Sequence, residues 1–336
     1  MPTATLKTAL HLVVPDRIAM DAARVALQAH VVSLKLDFLP VMKDRMPYLQ
    51  TTLSVANRVF NHTLATFKAQ LDNITLQAIT LKRERIIADM KLSDPQKERA
   101  LKLIDDLLFA QVTQLNEVIR GHANAIARSS DDLAQIDLKL ENNRLEETLQ
   151  RQLEALAQRS AEWDAQMSTL AEDRKVLDAL INTLEQHNLA NQFKDMLPSV
   201  EELALLTAPS PELAVAQAGL KKIAQLLDGI SRAITYADLT AERDRLRARY
   251  NDALENSRSA RQEAKSIVQN LDTLTGLKAA EQSKMAWVLE ATKVYESLRT
   301  FVTAQMSADT ATEAVEAHIS ELKTYLALFY AIKRIV

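Results

Sequence analysis

Apolar residues recur along this chain at helical spacing over stretches much longer than an ordinary globular helix. Leu101, Ile104, Leu108, Val112, Leu115 and Ile119 advance by threes and fours, the stripe of one helix face. From Leu156 the pattern becomes a heptad seam of Leu156, Trp163, Met167, Leu170, Leu177, Ile181 and Leu184. Such a seam has to be covered by a partner helix. A matching seam follows through Leu213, Ala216, Leu220, Ile223, Leu227, Ile230 and Ile234, and continues less regularly through Leu246, Leu254, Ile267, Leu271, Leu274 and Leu277.

The prolines punctuate these stripes. Five lie early, at 2, 15, 40, 47 and 95, and three are central, at 198, 209 and 211. The 102 residues between Pro95 and Pro198 hold one glycine, Gly121, and the 125 residues after Pro211 hold no proline. A proline inside a helix costs about 3 kcal/mol, so such clear spans permit very long helices. Pro40 is expected to stop a first helix that begins near Asp16. Pro47-Tyr48 is expected to open a second that runs to about Lys91. Ser93-Asp94-Pro95 marks a further start, a capping side chain followed by proline at the head of a helix. Ser129-Ser130-Asp131-Asp132 either bends that helix or restarts it.

These elements predict an all-α, elongated rod. Two arms, Asp94 to Leu197 and Glu212 to Met306, flank residues 198–211 and fold back antiparallel. Each extends roughly 140–155 Å if continuous, at about 1.5 Å per residue. The expected domains are a tail bundle of about five helices (1–128 with 279–336), a coiled-coil neck (129–196 with 235–278) and a head or tip hairpin (197–234). No internal repeat is visible.

The tip departs from the rest of the chain. Residues 203–220 read LALLTAPSPELAVAQAGL and carry one charge, Glu212, where a chain that is 25% charged should carry four or five. Pro209-Ser210-Pro211 divides this stretch into two apolar helical pieces, each shorter than the roughly 20 residues a bilayer requires. The second piece sets Gln217, Lys221, Gln225, Asp228 and Arg232 opposite its apolar stripe, as a pore-lining or interface-lying helix does. Ala214, Ala216, Ala218 and Gly219 are small enough to let a neighbouring backbone come close. An apolar loop at the end of a coiled coil can also fold back to cap its own seam. Poverty of charge, a position with little other core to join, and an amphipathic continuation favour contact with a membrane. A second apolar run, Thr324 to Ile332, holds three of the fifteen aromatics and is expected to be buried core in the tail.

Composition narrows the classes further. With 4 Gly and 4% aromatic residues, the 336-residue chain builds its core from aliphatic side chains on long helices. A formal net charge of -3 gives no electrostatic reason to expect nucleic acid. The cluster Arg243, Arg245, Arg247 and Arg249 is diluted by Glu242 and Asp244 and lacks an aromatic platform, so it reads as a solvated face. Cysteine is absent, which excludes disulfides and thiolate metal sites. No run reaches about 18 apolar residues, and Met1 to Met20 lacks the pattern of a cleaved signal. The six histidines are scattered, with no pair four apart for zinc, and no nucleophile elbow or phosphate-binding glycine loop is present. The expectation is no catalytic residue, no metal site and no cofactor.

Early tail-building helices, two long antiparallel helices and the central LALLTAPSPELAVAQAG segment together resemble the α-helical pore-forming toxins of the cytolysin A type. Among these the chain is most similar to B subunits of the α-xenorhabdolysin binary toxins, over its whole length. The resemblance implies a protein secreted without an obvious cleaved signal. It also implies assembly with an A subunit on a target-cell lipid membrane, into a hetero-oligomeric ring. On that basis Val200, Leu203, Leu205, Leu206, Leu213, Val215 and Leu220 would face the membrane after a rearrangement and be shielded before it. Gln217, Lys221, Gln225 and Asp228 would face the pore. The competing expectation is a coiled-coil scaffold or adaptor that binds only other proteins.

Overall fold

The structure, a computed structural model, describes residues 12–74, 76–139, 144–186, 196–197, 211–226, 235–307 and 312–331. Eight helices lie among the described residues. They are α1 (Arg17–Ser33), α2 (Pro40–Asn73), α3 (Gln77–Ala88), α4 (Asp94–Ala134), α5 (Arg144–Gln186), α6 (Pro211–Leu226), α7 (Tyr236–Ser307) and α8 (Thr312–Ala331). No described residue is in a strand. The chain forms two compact units, residues 1–141 with 273–336 and residues 142–272.

The first unit is built from α1 to α4, the C-terminal part of α7, and α8. Its core follows the predicted stripes: Leu108, Leu115 and Ile119 of α4 are buried with Phe60, Leu64 and Phe67 of α2. From α7 come Leu277, Trp287, Val294, Leu298 and Phe301, and from α8 come Ile319, Leu322, Tyr325 and Leu326. The Trp287 ring stands edge-on to Phe60, with centroids 6.0 Å apart and planes at 65°, a favourable aromatic geometry. Of the apolar run 324–332, Tyr325 and Leu326 are buried whereas Ala327 and Leu328 are exposed. The chain enters this unit in extended form. Val13 N–H donates to Ser297 Oγ (2.9 Å), and Val13 C=O accepts from Ser297 Oγ (3.2 Å) and Tyr325 Oη (3.0 Å). Asp16 then caps α1 by accepting from Ala19 N–H at 2.9 Å.

The helix boundaries correct several expectations. Pro40 does not stop the first helix; α1 ends at Ser33, and Pro40 is the first residue of α2. Pro47 does not open a helix; it lies inside α2. It sits on the solvent face, where the carbonyl that loses its helical donor can be hydrated, and this makes an interior proline tolerable. The second helix does not run on to Lys91 but breaks after Asn73, with Leu76 and Ile79 turned into the core. Ser93 is the N-cap of α4, its N–H donating to Gln96 Oε1 at 3.0 Å, with Pro95 in the first turn.

The arm from Asp94 is not continuous either. Ser129 and Ser130 stay helical, and α4 ends only at Ala134. The cause lies in packing rather than in a local breaker. Ile136 and Leu138 are buried, which pulls the chain out of the helical path. The freed carbonyls of Ala134 (3.4 Å) and Ile136 accept from the Lys284 ammonium of α7, which also pairs with Glu281 at 2.8 Å. Lys284 is buried, only 1% exposed. A lysine thus supplies from another helix the donors that the end of α4 lacks.

The second unit consists of α5, α6 and the N-terminal part of α7. Ser257 and Arg261 of α7 reach Asp164 of α5, and Arg261 also reaches Ser160. Further along, Tyr236 reaches Glu185 at 2.6 Å. Residue numbers rise on one helix as they fall on the other, so α5 and α7 run antiparallel here. The Glu212 to Met306 arm is also interrupted, because α7 starts afresh at Tyr236. Thr235 and Asp238 close its first turn reciprocally, Thr235 N–H to Asp238 Oδ2 at 2.9 Å and Asp238 N–H to Thr235 Oγ1 at 3.2 Å.

Candidate membrane-interacting site

The site begins with α6. Its apolar positions fall on one side: Ala216, Leu220 and Ile223 are buried against Leu170, Leu177, Leu180, Ile181 and Leu184 of α5, with Leu197 and with Leu239 and Leu246 of α7. The α5 residues belong to the heptad seam read from the sequence, together with Leu180, which that reading left out. Trp163 and Met167 of the same seam are half-buried.

Gly219 sets how closely α6 and α5 approach. A Cβ at this position would lie 2.6 Å from Leu180 Cβ and 2.9 Å from its Cδ2. Only a residue without a side chain fits there. Beside this contact Lys222 Nζ meets Asp173 Oδ1 at 2.5 Å, with the Asp173 side chain largely buried. An ion pair shielded from water is stronger than one at the surface, and breaking it by removing one member leaves a buried charge. The sequence reading did not find this pair. Its only signal was a lysine beside the apolar stripe of α6 and an aspartate within the α5 seam.

The remaining predicted residues divide as follows. Leu220 is shielded against α5, whereas Val215 is 39% exposed. Gln217 is half-buried, and Lys221 and Gln225 are exposed on the side away from α5. Leu213 belongs to α6 by its backbone, but its side chain lies outside the described residues, as do Val200, Leu203, Leu205, Leu206 and Asp228 altogether. Ala214 and Ala218 are exposed with Val215. Ala214, Val215 and Ala218 therefore turn small apolar side chains to solvent, and the second half of α6 turns out Lys221 and Gln225. No described helix is long and apolar enough to cross a membrane. Among the described residues no group of three or more histidine, aspartate or glutamate side chains is placed to hold a metal ion.

An all-α chain that carries a short amphipathic helix packed on a longer one is the class defined by this fold and site. No family model matches the chain, and no curated protein matches it. Solved structures do. PaxB from Photorhabdus luminescens has a TM-score of 0.82 at 17% identity, covering 96% of this chain and 99% of that one. XaxB from Xenorhabdus nematophila has a TM-score of 0.77 at 17% identity, covering 94% and 97%. A chain of the YaxAB pore complex has a TM-score of 0.69 at 19% identity, covering 96% and 100%. The protein has the all-α fold of PaxB and XaxB over 96% and 94% of its length.

Proposed function

We propose that this chain is the B-type subunit of a two-component pore-forming cytotoxin, which joins an A-type subunit on a target-cell membrane and permeabilises it. The observation that carries the proposal is a fold shared over nearly the full length with PaxB, XaxB and a chain of the YaxAB pore complex. The layout of α6 supports it. Among the described residues the helix is held by three large apolar side chains, Leu220, Ile223 and the partly buried Leu226, by the small Ala216, and by one ion pair. Lifting it costs roughly 1.5–3 kcal/mol for each large side chain uncovered, a cost that burial of the same side chains in lipid returns. A membrane can thus take over the cover that α5 gives these side chains in its absence. In this reading the chain acts through binding and insertion rather than catalysis, and it is released from the producing cell as a water-soluble protein.

The test is a lysis assay with this chain alone, the A-type partner alone, and both together, with release of a dye from liposomes as readout. Lysis only by the pair is the expected result. A polarity-sensitive dye on a Val215→Cys variant should shift to the blue when liposomes and partner are both added. A folded protein that binds other proteins but gives neither leakage nor a shift under any combination is a scaffold, and the proposal fails.

A further inference from the structure

The outer face of α1 has no role in the function proposed above. Ile18, Ala22, Val25, Ala29 and Val32 follow one another in steps of four, three, four and three, the spacing of a coiled-coil seam. All five are exposed, the large ones by 68%, 54% and 80%. They lie opposite Met20, Ala23 and Leu27, which anchor α1 in its own unit. Single exposed apolar residues are ordinary, but an unbroken heptad register on a helix already buried on its other side marks a face that is meant to be covered.

The order of side chains indicates the cover. Large and small alternate as Ile, Ala, Val, Ala, Val. A parallel copy in register would set valine on valine and leave a gap at each alanine. In an antiparallel copy Val25 meets Ala29 of the second copy and Val32 meets its Ala22, and the same contacts recur by symmetry. Four layers, the pairs 25–29 and 22–32 each occurring twice, then set a large side chain against a small one, with Ile18 lying beyond them, and the surface is complementary to itself. The one acidic residue at the edge of the face, Asp21, falls beside Ser33 of the second copy, so like charges are not opposed. We infer that α1 pairs antiparallel with α1 of another copy of this chain.

The exposed stripe offers roughly 400 Å² per copy, about half of what a standard stable interface buries on each partner. The pair is therefore weak. The chain is monomeric when dilute and dimeric at concentrations on the order of hundreds of micromolar, or when crowded on a surface. This inference is independent of the pore-forming reading, and its failure would leave that reading untouched.

Because the chain lacks cysteine, cross-linking reads the register directly. The double variant Val25→Cys/Ala29→Cys, oxidised at high concentration, should give a covalent dimer at least tenfold faster than Val25→Cys alone. Sedimentation velocity from about 10 to 500 µM should show the wild-type mass rising toward that of a dimer. Ala22→Glu/Ala29→Glu, at two exposed positions that tolerate glutamate in a helix, should stay monomeric with unchanged helix content. A wild-type protein that remains monomeric throughout overturns the inference. So does a Val25→Cys variant that links as well as the double one, since that is parallel pairing. If the glutamate variant instead loses only binding to a different subunit, the face belongs to that subunit and the second copy is excluded.

Discussion

Replacing Lys284 with methionine tests how the first unit fixes the end of α4. Methionine keeps most of the buried stem but removes the ammonium, so the change is in charge and hydrogen bonding rather than volume. Two losses follow. The Glu281 carboxylate, whose side chain is only 13% exposed, loses its partner at 2.8 Å. The carbonyls of Ala134 and Ile136 lose their donor. Deleting one member of a buried pair costs about 3–5 kcal/mol, a large share of the 5–15 kcal/mol typical of a folded domain. The companion double variant, Lys284→Met/Glu281→Leu, removes the orphaned charge and leaves only the carbonyls, at about 1–3 kcal/mol. It should recover roughly half of the loss, with the two changes strongly non-additive. Urea unfolding followed by fluorescence is the assay. Trp287 lies buried in the first unit and Trp163 lies in the second, so a Trp163→Phe background reports the first unit alone. A loss below about 1 kcal/mol, or simple additivity in the double variant, would refute the assignment of Lys284 as the cap of α4.

Four further outcomes are expected. Gly121→Ala, where a Cβ meets nothing within 4 Å, should stabilise the first unit by about 0.5–1 kcal/mol; Gly219→Ala, pressed on Leu180, should destabilise the second by about 1–3 kcal/mol, read at Trp163. Burial first, and the charge of His62 second, hold His122 below its ordinary pKa, so the unfolded chain binds its proton more readily than the folded one. Stability should therefore fall as pH drops below about 6.5, and His122→Gln, which keeps an amide near Gln70, should flatten that slope in urea titrations. Burial pushes the Tyr325 hydroxyl up to about 12. The folded chain then keeps a proton that the unfolded chain releases above about 10, so alkali destabilises between these values. Tyr325→Phe should remove that dependence while costing about 1 kcal/mol at neutral pH for the lost bond to Val13.

The helical class of this fold and most of its buried stripes could be read from spacing alone. Leu170, Leu177, Ile181 and Leu184 on α5 and Ala216, Leu220 and Ile223 on α6 all lie where the two seams indicated. Breaks in the helices were much harder to read. A helix that ends at Ala134 without glycine or proline ends because Ile136 and Leu138 gain more from the core than from the helix, and no local signal records that. Lys284 did leave a trace. It stands in the stripe Leu277, Ala280, Lys284, Trp287, Ala291, Val294, where a charge among apolar positions demands a buried partner. Pro47 misled because proline usually marks a helix start, yet on a solvent face it can be accommodated further in. At the candidate site the sequence indicated that α6 is amphipathic and rich in small residues. It did not reveal that Gly219 meets Leu180 or that Lys222 meets Asp173, since both contacts join residues far apart in the chain.

The reciprocal Thr235–Asp238 closure also bears on mechanics. A helix that ties off its own leading amides borrows nothing from the residues ahead of it. Whatever direction the polypeptide takes before Thr235, the opening turn of α7 keeps its bonds, so a change of course there need not fray the longest helix in the molecule. Two side chains thereby keep the leading turn of that helix closed on itself.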